Sequence, residues 1–294
     1  MPEENWLDNN NHDKVFYRKT GSGPAVVLIH GFAEDGTIWD RQIDFLKEHF
    51  QLIIPDLPGS GRSVASLESG VQSWQLPVGN LQPKGDHTSY SIEHLTIEDY
   101  AEVINQILNQ EKISSCIMIG HSMGGYITLA FAEKYPEKID AFTLLHSTAF
   151  ADSEEKKATR RKGIEFIKKY GAAEFIKQTS PNLFSEHTKK NNPSIIKELI
   201  SRYDNSNPDA LVYYYEAMMQ RPDRTNLLMG FKKPIQFIIG EEDNAVPLEQ
   251  SLKLCRLPEF SYIHILENTG HMGMWEAKAE VNNFLLAFIN QVIA

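Results

Sequence analysis

The sequence predicts an α/β fold, in which a doubly wound and mostly parallel sheet carries an inserted helical cap. Short apolar runs bounded by turn residues alternate with helical patterns along the 294 residues. Most of these runs lack polar alternation, which indicates strands covered by helices on both faces. Regular alternation of strands and helices favours parallel strands joined by right-handed crossovers.

Six apolar runs are the predicted parallel strands, and one earlier run is expected to pair antiparallel at the sheet edge. The six runs are "AVVLI" (25–29), "QLIIPD" (51–56), "SCIMI" (115–119), "AFTLL" (141–145), "IQFII" (235–239) and "YIHIL" (262–266). The edge run is "KVFYRK" (14–19). Turn residues at the ends of these runs support each assignment.

Helical patterns fill most of the connections. One follows Thr37, a second opens at Thr96 with Asp99 in a capping-box position, and the last begins near Ala279. Residues 152–228 are helical throughout and are expected to form the cap, which leaves 1–151 and 229–294 as the core. The expected helix boundaries inside the cap are Gly163, Gly171, Pro181, Pro193 and Pro208.

Residues 64–94 are rich in Gly, Pro and Ser and show no periodicity. A non-periodic connection of this length is usually functional or disordered. Three roles stay open for it: a flap over the site, a surface hairpin or a contact to a partner.

Composition restricts the partners. A formal net charge of −10 disfavours nucleic acid and anionic membrane surfaces. No apolar run approaches the length of a membrane helix, and the polar, acidic N-terminus does not resemble a secretory signal. The only cysteines, Cys116 and Cys255, suit a reducing compartment, so we expect a cytoplasmic protein.

The stretch "GHSMGG" places Ser122 between Gly120 and Gly124, where a predicted strand becomes a helix. Glycines on both sides relieve the crowding of a sharp strand–turn–helix that presents one hydroxyl. The helix start also offers the N–H of Met123 to a developing oxyanion. The alternative at this point is an ordinary turn with a serine helix cap.

Three further strand ends carry polar groups. "HGF" follows the first parallel strand, so the N–H of Phe32 is a candidate second oxyanion donor. "GEEDNAVP" offers Glu241, Glu242 and Asp243 after a late strand, and His271 follows the last strand. The order serine, acid, histidine is the one found in α/β-hydrolases.

Taken together, these stretches, with "DLPGSGRS" (56–63) and "GHMGMWE" (270–276), resemble the α/β-hydrolase superfamily. The resemblance implies that Asp243 is the acid of a Ser122–Asp243–His271 triad, and that the cap covers the site. A serine nucleophile separates the chain from haloalkane dehalogenases and soluble epoxide hydrolases, which use an aspartate. Met123 stands where proline iminopeptidases typically have tryptophan.

The resulting hypothesis is a serine hydrolase acting on a small carboxylic ester, lactone or thioester. One alternative is carbon–carbon bond hydrolysis, or a lyase reaction, on the same scaffold. Another is a small-molecule receptor that retains the triad, supported only by the 64–94 loop.

The substrate is expected to have a carbonyl group and an apolar or aromatic acyl part. The candidate substrate-binding residues are His30, His146, Tyr214 and Met218. Neither a cofactor nor a metal is expected, because the ten histidines show no HExxH or paired ligand spacing. The protein is expected to be a monomer or a homodimer.

Overall fold

A computed structural model describes residues 2–8, 14–63 and 95–294. The 64–94 loop lies outside the described residues, and so do the flap, hairpin and receptor hypotheses that depend on it. Among the helices of the described part, none is both long and apolar enough to cross a membrane.

One sheet of eight strands forms the centre of the described structure. Its spatial order is β1-β2-β4-β3-β5-β6-β7-β8. The strands are β1 (Glu3–Asp8), β2 (Lys14–Thr20), β3 (Ala25–Ile29), β4 (Gln51–Pro55), β5 (Cys116–His121), β6 (Ile139–Leu145), β7 (Ile235–Gly240) and β8 (Ser261–Leu266). From β4 to β8 all neighbouring strands are parallel, as predicted.

The N-terminal edge of the sheet differs from the prediction. β2 is antiparallel, but it lies between β1 and β4 and is not the edge strand. β1 was missed because "EENWLD" is polar, and its register depends on pairing with β2 over all six residues. An edge strand exposed to water can carry polar residues, so its sequence signal is weak.

The helices of the core connect the strands in sequence or follow the last one, and they pack against the sheet. They are α1 (Asp40–Leu46), α2 (Ile97–Gln110), α3 (Met123–Lys134), α10 (Leu248–Leu254), α11 (Gly273–Glu276) and α12 (Lys278–Ile293). The capping box predicted at Thr96 and Asp99 is present at the start of α2. The start of the last helix is one residue from the prediction.

A run of helices, the helical insert, connects β6 to β7. It comprises α4 (Glu154–Tyr170), α5 (Ala172–Thr179), α6 (Glu186–Asn191), α7 (Pro193–Tyr203), α8 (Pro208–Gln220) and α9 (Thr225–Gly230). The predicted boundary at 228 falls within α9. We continue to propose that this insert is a cap over the site.

Gly163 does not end a helix, contrary to expectation, but lies inside α4. A Cβ at this position would come within 2.8 Å of the Tyr215 ring of α8. The glycine therefore allows α4 and α8 to pack closely. Gly171 does end α4, as predicted, with a φ of 84°.

Parallel strands place their carboxyl ends at one edge of a sheet, where ligands of open α/β sheets bind. Ser122, His146 and Asp243 follow β5, β6 and β7, which are adjacent. His271 follows β8, the next strand. Topology thus gathers residues that are up to 149 positions apart in sequence, from 122 to 271.

Candidate active site

Ser122 forms the sharp turn between β5 and α3. Its φ of 51° is unusual for a residue with a side chain and is characteristic of a strained strand–helix elbow. The helix start packs directly on β3, since a Cβ on Gly124 would lie 2.3 Å from the Ile29 carbonyl oxygen. The hydroxyl-bearing residue remains half-buried rather than enclosed.

Two backbone N–H groups are available beside Ser122. Met123 is the first residue of α3, where a backbone N–H has no acceptor within the helix. Phe32 follows β3, and its ring stacks on Tyr215 with centroids 4.2 Å apart and planes 16° from parallel. The Phe175 ring meets the Phe32 ring edge-on, with centroids 6.1 Å apart. Aromatic side chains of the helical insert thus hold the residue whose N–H is the candidate oxyanion donor.

Asp243 and His271 form a buried acid–base pair. His271 Nδ1 lies 2.8 Å from Asp243 Oδ2 and 3.0 Å from Oδ1. Asp243 Oδ1 also accepts the N–H groups of Ala245 and Val246, at 2.8 and 2.9 Å. With its Nδ1 proton donated to the carboxylate, His271 has Nε2 as its basic atom.

Burial alone would raise the pKa of Asp243, but the electrostatic interactions and hydrogen bonds with the His271 and His146 rings hold this pKa well below its usual range. The carboxylate therefore stays ionised at neutral pH. An ionised acid can orient the imidazole and stabilise its charged form.

His146 is a second imidazole on the same carboxylate. Its Nδ1 lies 3.2 Å from Asp243 Oδ2, and its Nε2 accepts the N–H of Gly273 at 3.1 Å. Because Nε2 is an acceptor, the ring is neutral and its proton is on Nδ1. Burial lowers the pKa of His146, consistent with the neutral form. The structure places this side chain on Asp243 and leaves none of it exposed, so it does not support the expected substrate contact.

Three other substrate candidates are buried and have protein partners. His30 Nε2 accepts the N–H of Leu57 at 3.0 Å, which holds the turn after β4. The Tyr214 hydroxyl donates to the Pro58 carbonyl oxygen at 2.9 Å. Met218 belongs to the hydrophobic core cluster. Substrate contact by these three residues stays a prediction.

Sequence reasoning missed a second buried pair. His121 Nδ1 lies 3.0 Å from Glu34 Oε2, and its Nε2 lies 3.1 Å from the His271 carbonyl oxygen. Both side chains are almost fully buried. Two features of the sequence could have indicated this pair. His121 directly precedes Ser122, and Glu34 lies two residues after the "HGF" stretch.

Glu276 was also missed, although it ends the "GHMGMWE" stretch. Its Oε1 accepts the N–H of Gly270 at 2.9 Å, and its Oε2 accepts both the N–H and the hydroxyl of Ser185 at 2.9 and 2.8 Å. The N–H of His271 donates to the Leu183 carbonyl oxygen at 2.7 Å. These bonds join the His271 loop to the helical insert.

Among the described residues, His146, Asp243 and His271 have potential ligand atoms within 4.8 Å of one another, a spacing that fits a metal ion. Hydrogen bonds explain this spacing without an ion, since both imidazoles donate to one carboxylate. A metal there would also occupy His271, which is the candidate base for Ser122. We therefore retain the expectation of a metal-free site.

A cleft of about 840 Å³ opens beside the loop of residues 30–35 that follows β3. Because this loop contains the candidate oxyanion donor Phe32, we call it the oxyanion loop. Ala33, Glu34 and Asp35 lie along one side of the cleft, and Tyr203 and Tyr214 of the helical insert lie along the other. Neither Ser122 nor His271 lines it. We place the chemistry at the strand ends, because the nucleophile and base candidates are there.

The parallel sheet and the serine elbow at its carboxyl edge define the class of protein: this is an α/β hydrolase. Residues 24–278 match the family model for the alpha/beta hydrolase fold, and the chain belongs to that family.

Similar proteins include hydrolases of different reaction types. The chain is 26% identical to a 2-hydroxy-6-oxononadienedioate/2-hydroxy-6-oxononatrienedioate hydrolase of Paraburkholderia phymatum, over 98% of this chain and 94% of that protein. It is 24% identical to Lipase 1 of Psychrobacter immobilis, over 94% of this chain and 80% of that protein.

Solved structures agree in fold. A thermophilic esterase from Thermogutta terrifontis superposes with a TM-score of 0.82, at 25% identity and 99% coverage of both chains. An enol-lactonase from Burkholderia xenovorans superposes with a TM-score of 0.78, at 19% identity, over 95% of this chain and 98% of that one.

Proposed function

We propose that this protein is a serine hydrolase that cleaves a small carboxylic ester, lactone or thioester through an acyl-enzyme on Ser122. One observation carries the proposal: a strained serine elbow at the end of β5 shares its sheet edge with a buried His271–Asp243 pair at the ends of β8 and β7. An elbow that served only as a turn would need no ionised acid and oriented imidazole beside it.

The reaction follows from these groups. Ser122 Oγ attacks the carbonyl carbon while His271 Nε2 takes its proton, and the carbonyl electron pair moves to the oxygen. When the tetrahedral intermediate collapses, the alkoxide or thiolate leaves with the proton from His271. Water then repeats the attack on the acyl-enzyme and releases the acid and free Ser122.

Electrostatics supports each step. Asp243 stays ionised and stabilises the imidazolium that forms on His271. The N–H groups of Phe32 and Met123 hold the oxyanion, and each such donor contributes about 3 kcal/mol to transition-state stabilisation.

The side chains of the helical insert favour an apolar acyl group. Phe32, Phe175 and Tyr215 form one aromatic cluster with ring centroids 4.2 to 6.1 Å apart. Such a cluster beside the oxyanion donors offers an apolar or aromatic surface to the substrate.

Carbon–carbon bond hydrolysis is the second candidate, favoured by one observation. The relative from Paraburkholderia phymatum is named for hydrolysis of a 2-hydroxy-6-oxo dienedioate and aligns with nearly the whole chain. The same serine, histidine and acid would serve a vinylogous diketone acid.

Hydrolysis of short p-nitrophenyl esters tests the first proposal. We expect turnover by the full chain, a loss of about 10⁶ in kcat for Ser122→Ala, and none for the exposed Ser194→Ala control. Equal rates for wild type and Ser122→Ala would contradict the assignment. Hydrolysis of a dienoic diketone acid faster than any ester would favour the second candidate.

Covalent labelling provides a test that needs no substrate. A fluorophosphonate probe should label the wild-type chain once, and the label should be absent from Ser122→Ala and nearly absent from His271→Ala. Equal labelling of His271→Ala would show that His271 does not activate the serine.

A further inference from the structure

Both ring nitrogens of His121 face oxygen atoms. Nδ1 lies 3.0 Å from Glu34 Oε2, and Nε2 lies 3.1 Å from the His271 carbonyl oxygen. A carbonyl oxygen only accepts hydrogen bonds, and an ionised carboxylate does the same. A neutral imidazole has one N–H, whereas the imidazolium has two. Only the imidazolium can therefore donate a hydrogen bond to both of these acceptors at once.

The proton of the pair belongs on His121 because Glu34 is stabilised as a carboxylate. Glu34 Oε2 also accepts the backbone N–H of Gly31 at 2.7 Å. Burial would raise the pKa of Glu34, but His121 and this N–H lower it below its usual value. Burial would likewise lower the pKa of His121, but Glu34 and the His271 carbonyl raise it.

The surrounding groups favour the same assignment. His121 is near two carboxylates, those of Glu34 and Asp243. Its other neighbours are the rings of His271 and His146, with centroids 5.1 and 6.1 Å away. His146 is neutral because its Nε2 accepts a hydrogen bond.

Glu34 has its own charged and titratable neighbours. They are His121, His30 and, from the helical insert, Tyr203. His30 Nε2 accepts the Leu57 N–H, so the ring carries its proton on Nδ1, which donates to the Gly31 carbonyl oxygen. With one N–H, the His30 ring is neutral. His121 is therefore the cation that balances the Glu34 charge.

The His121–Glu34 pair connects three segments whose relative positions matter for the reaction. His121 directly precedes Ser122, Glu34 binds the N–H of the residue before Phe32, and the His271 carbonyl belongs to the base. The packing is tight, since a Cβ on Gly31 would lie 3.0 Å from His121 Nδ1 and 3.1 Å from Ser122 Cβ. A shift in one segment would therefore move the other two.

We propose that His121 is a positioning residue, held as a buried imidazolium by Glu34, which locks the oxyanion loop and the backbone of His271 onto the nucleophile strand. The proposal rests on the proposed function, since it assigns His121 a role at the same site. His121 acts through its neighbours and does not itself contact the reacting atoms.

Ring nitrogen chemical shifts test the protonation state without any substrate. In the wild-type chain labelled with ¹⁵N-histidine, one buried ring should keep two protonated nitrogens at a pH above the ordinary histidine pKa of about 6.5, where an unperturbed ring has lost one proton. His121→Gln assigns this signal by removing it. A non-protonated nitrogen on the His121 ring at that pH would overturn the proposal. If His121→Gln does not fold, the absence of any doubly protonated buried ring from the wild-type spectrum at that pH would still overturn the proposal.

The Glu34→Gln variant tests the positioning role. The amide oxygen of the substituted side chain can still accept both N–H groups, but the charge is gone, so His121 should lose a proton near neutral pH. We expect kcat to fall about 10- to 100-fold, and kcat/KM to decline on the alkaline side where the wild type is level. An unchanged pH profile in a folded Glu34→Gln chain would contradict the positioning role.

Two controls separate the possible failures. Glu48→Gln removes the same charge from an exposed site and should leave the pH profile unchanged. Fluorophosphonate labelling of wild type reports on Ser122 independently. Labelling with a neutral His121 ring would refute this proposal and leave the serine hydrolase function standing. No labelling with a protonated ring would refute the serine hydrolase function, and with it the positioning role, and leave only the charge state of His121 standing.

Discussion

His146 and His271 donate to the same carboxylate. Their Nδ1 atoms lie 3.2 and 2.8 Å from Asp243 Oδ2, and all three side chains are buried. The acid at the end of β7 is thus held from both sides, by the loops after β6 and β8. His146 has a φ of 49°, which indicates a strained backbone maintained by this arrangement.

Replacing His146 should reduce turnover and leave substrate affinity unchanged. His146→Gln removes a hydrogen bond to a charged acceptor, worth about 1.5 to 3 kcal/mol, so we expect kcat to fall about 10- to 100-fold. KM should stay within about twofold, since the buried ring is bonded to Asp243 and Gly273. A higher KM at constant kcat would instead indicate substrate contact. The exposed His49→Gln variant is the matched control.

Three acids, Glu241, Glu242 and Asp243, are consecutive in the sequence, and we expect only Asp243 to control turnover. Asp243→Asn should lower kcat about 10⁴-fold, because the amide can favour the wrong tautomer of His271. Glu242→Gln should stay within about twofold, since Glu242 accepts the N–H of Glu186 and, among the described residues, His271 pairs with Asp243 instead. Steady-state kinetics on the same ester measures both. Comparable losses in the two variants would contradict the assignment of the acid.

Acidification should destabilise the protein partly through His146. Burial, with His121 and His271, holds the pKa of His146 below its ordinary value despite Asp243. Below about pH 6.5 the unfolded chain therefore binds a proton that the folded chain does not, and stability falls as pH decreases, by up to about 1.4 kcal/mol per pH unit. Urea unfolding from pH 7 to 5 should show a shallower slope for His146→Gln than for wild type. Equal slopes would contradict a neutral buried His146.

Tyr215 should influence turnover through the oxyanion loop. Its ring stacks on Phe32 at 4.2 Å, and such stacking contributes about 0.5 to 1.5 kcal/mol. Tyr215→Leu keeps an apolar side chain but loses the stack, so we expect kcat to fall about 2- to 10-fold. Tyr170→Leu, on the exposed end of α4, should leave kcat unchanged. The prediction is wrong if Tyr215→Leu changes KM alone.

Gly124 should tolerate no side chain. A Cβ there would lie 2.3 Å from the Ile29 carbonyl oxygen, which is backbone and cannot rotate away. Gly124→Ala should therefore cost at least about 1 to 3 kcal/mol of unfolding free energy. Gly230→Ala is the control, because its Cβ would meet no atom within 4 Å. Equal denaturant midpoints for the two variants would contradict close packing of α3 on β3.

The sequence by itself determined the parallel sheet and the polar groups at its strand ends. Both are local signals: apolar runs without alternation mark strands covered on both faces, and "GHSMGG" marks a strand–turn–helix. Because the carboxyl ends of parallel strands share an edge, these signals also predict that Ser122, Asp243 and His271 lie at the same edge of the sheet. The triad roles remain our proposal.

Only the tertiary structure decided which partner each buried polar group has. His146 bonds to Asp243 from 97 residues away, and His121 bonds to Glu34 from 87 residues away. Such pairs depend on strand order, register and loop geometry, which no periodic pattern encodes. The same applies to β1, whose polar residues form a strand because β2 presents an edge to pair with. Local chemistry therefore determined where the reactive groups lie, and packing determined the charge state and orientation they acquire.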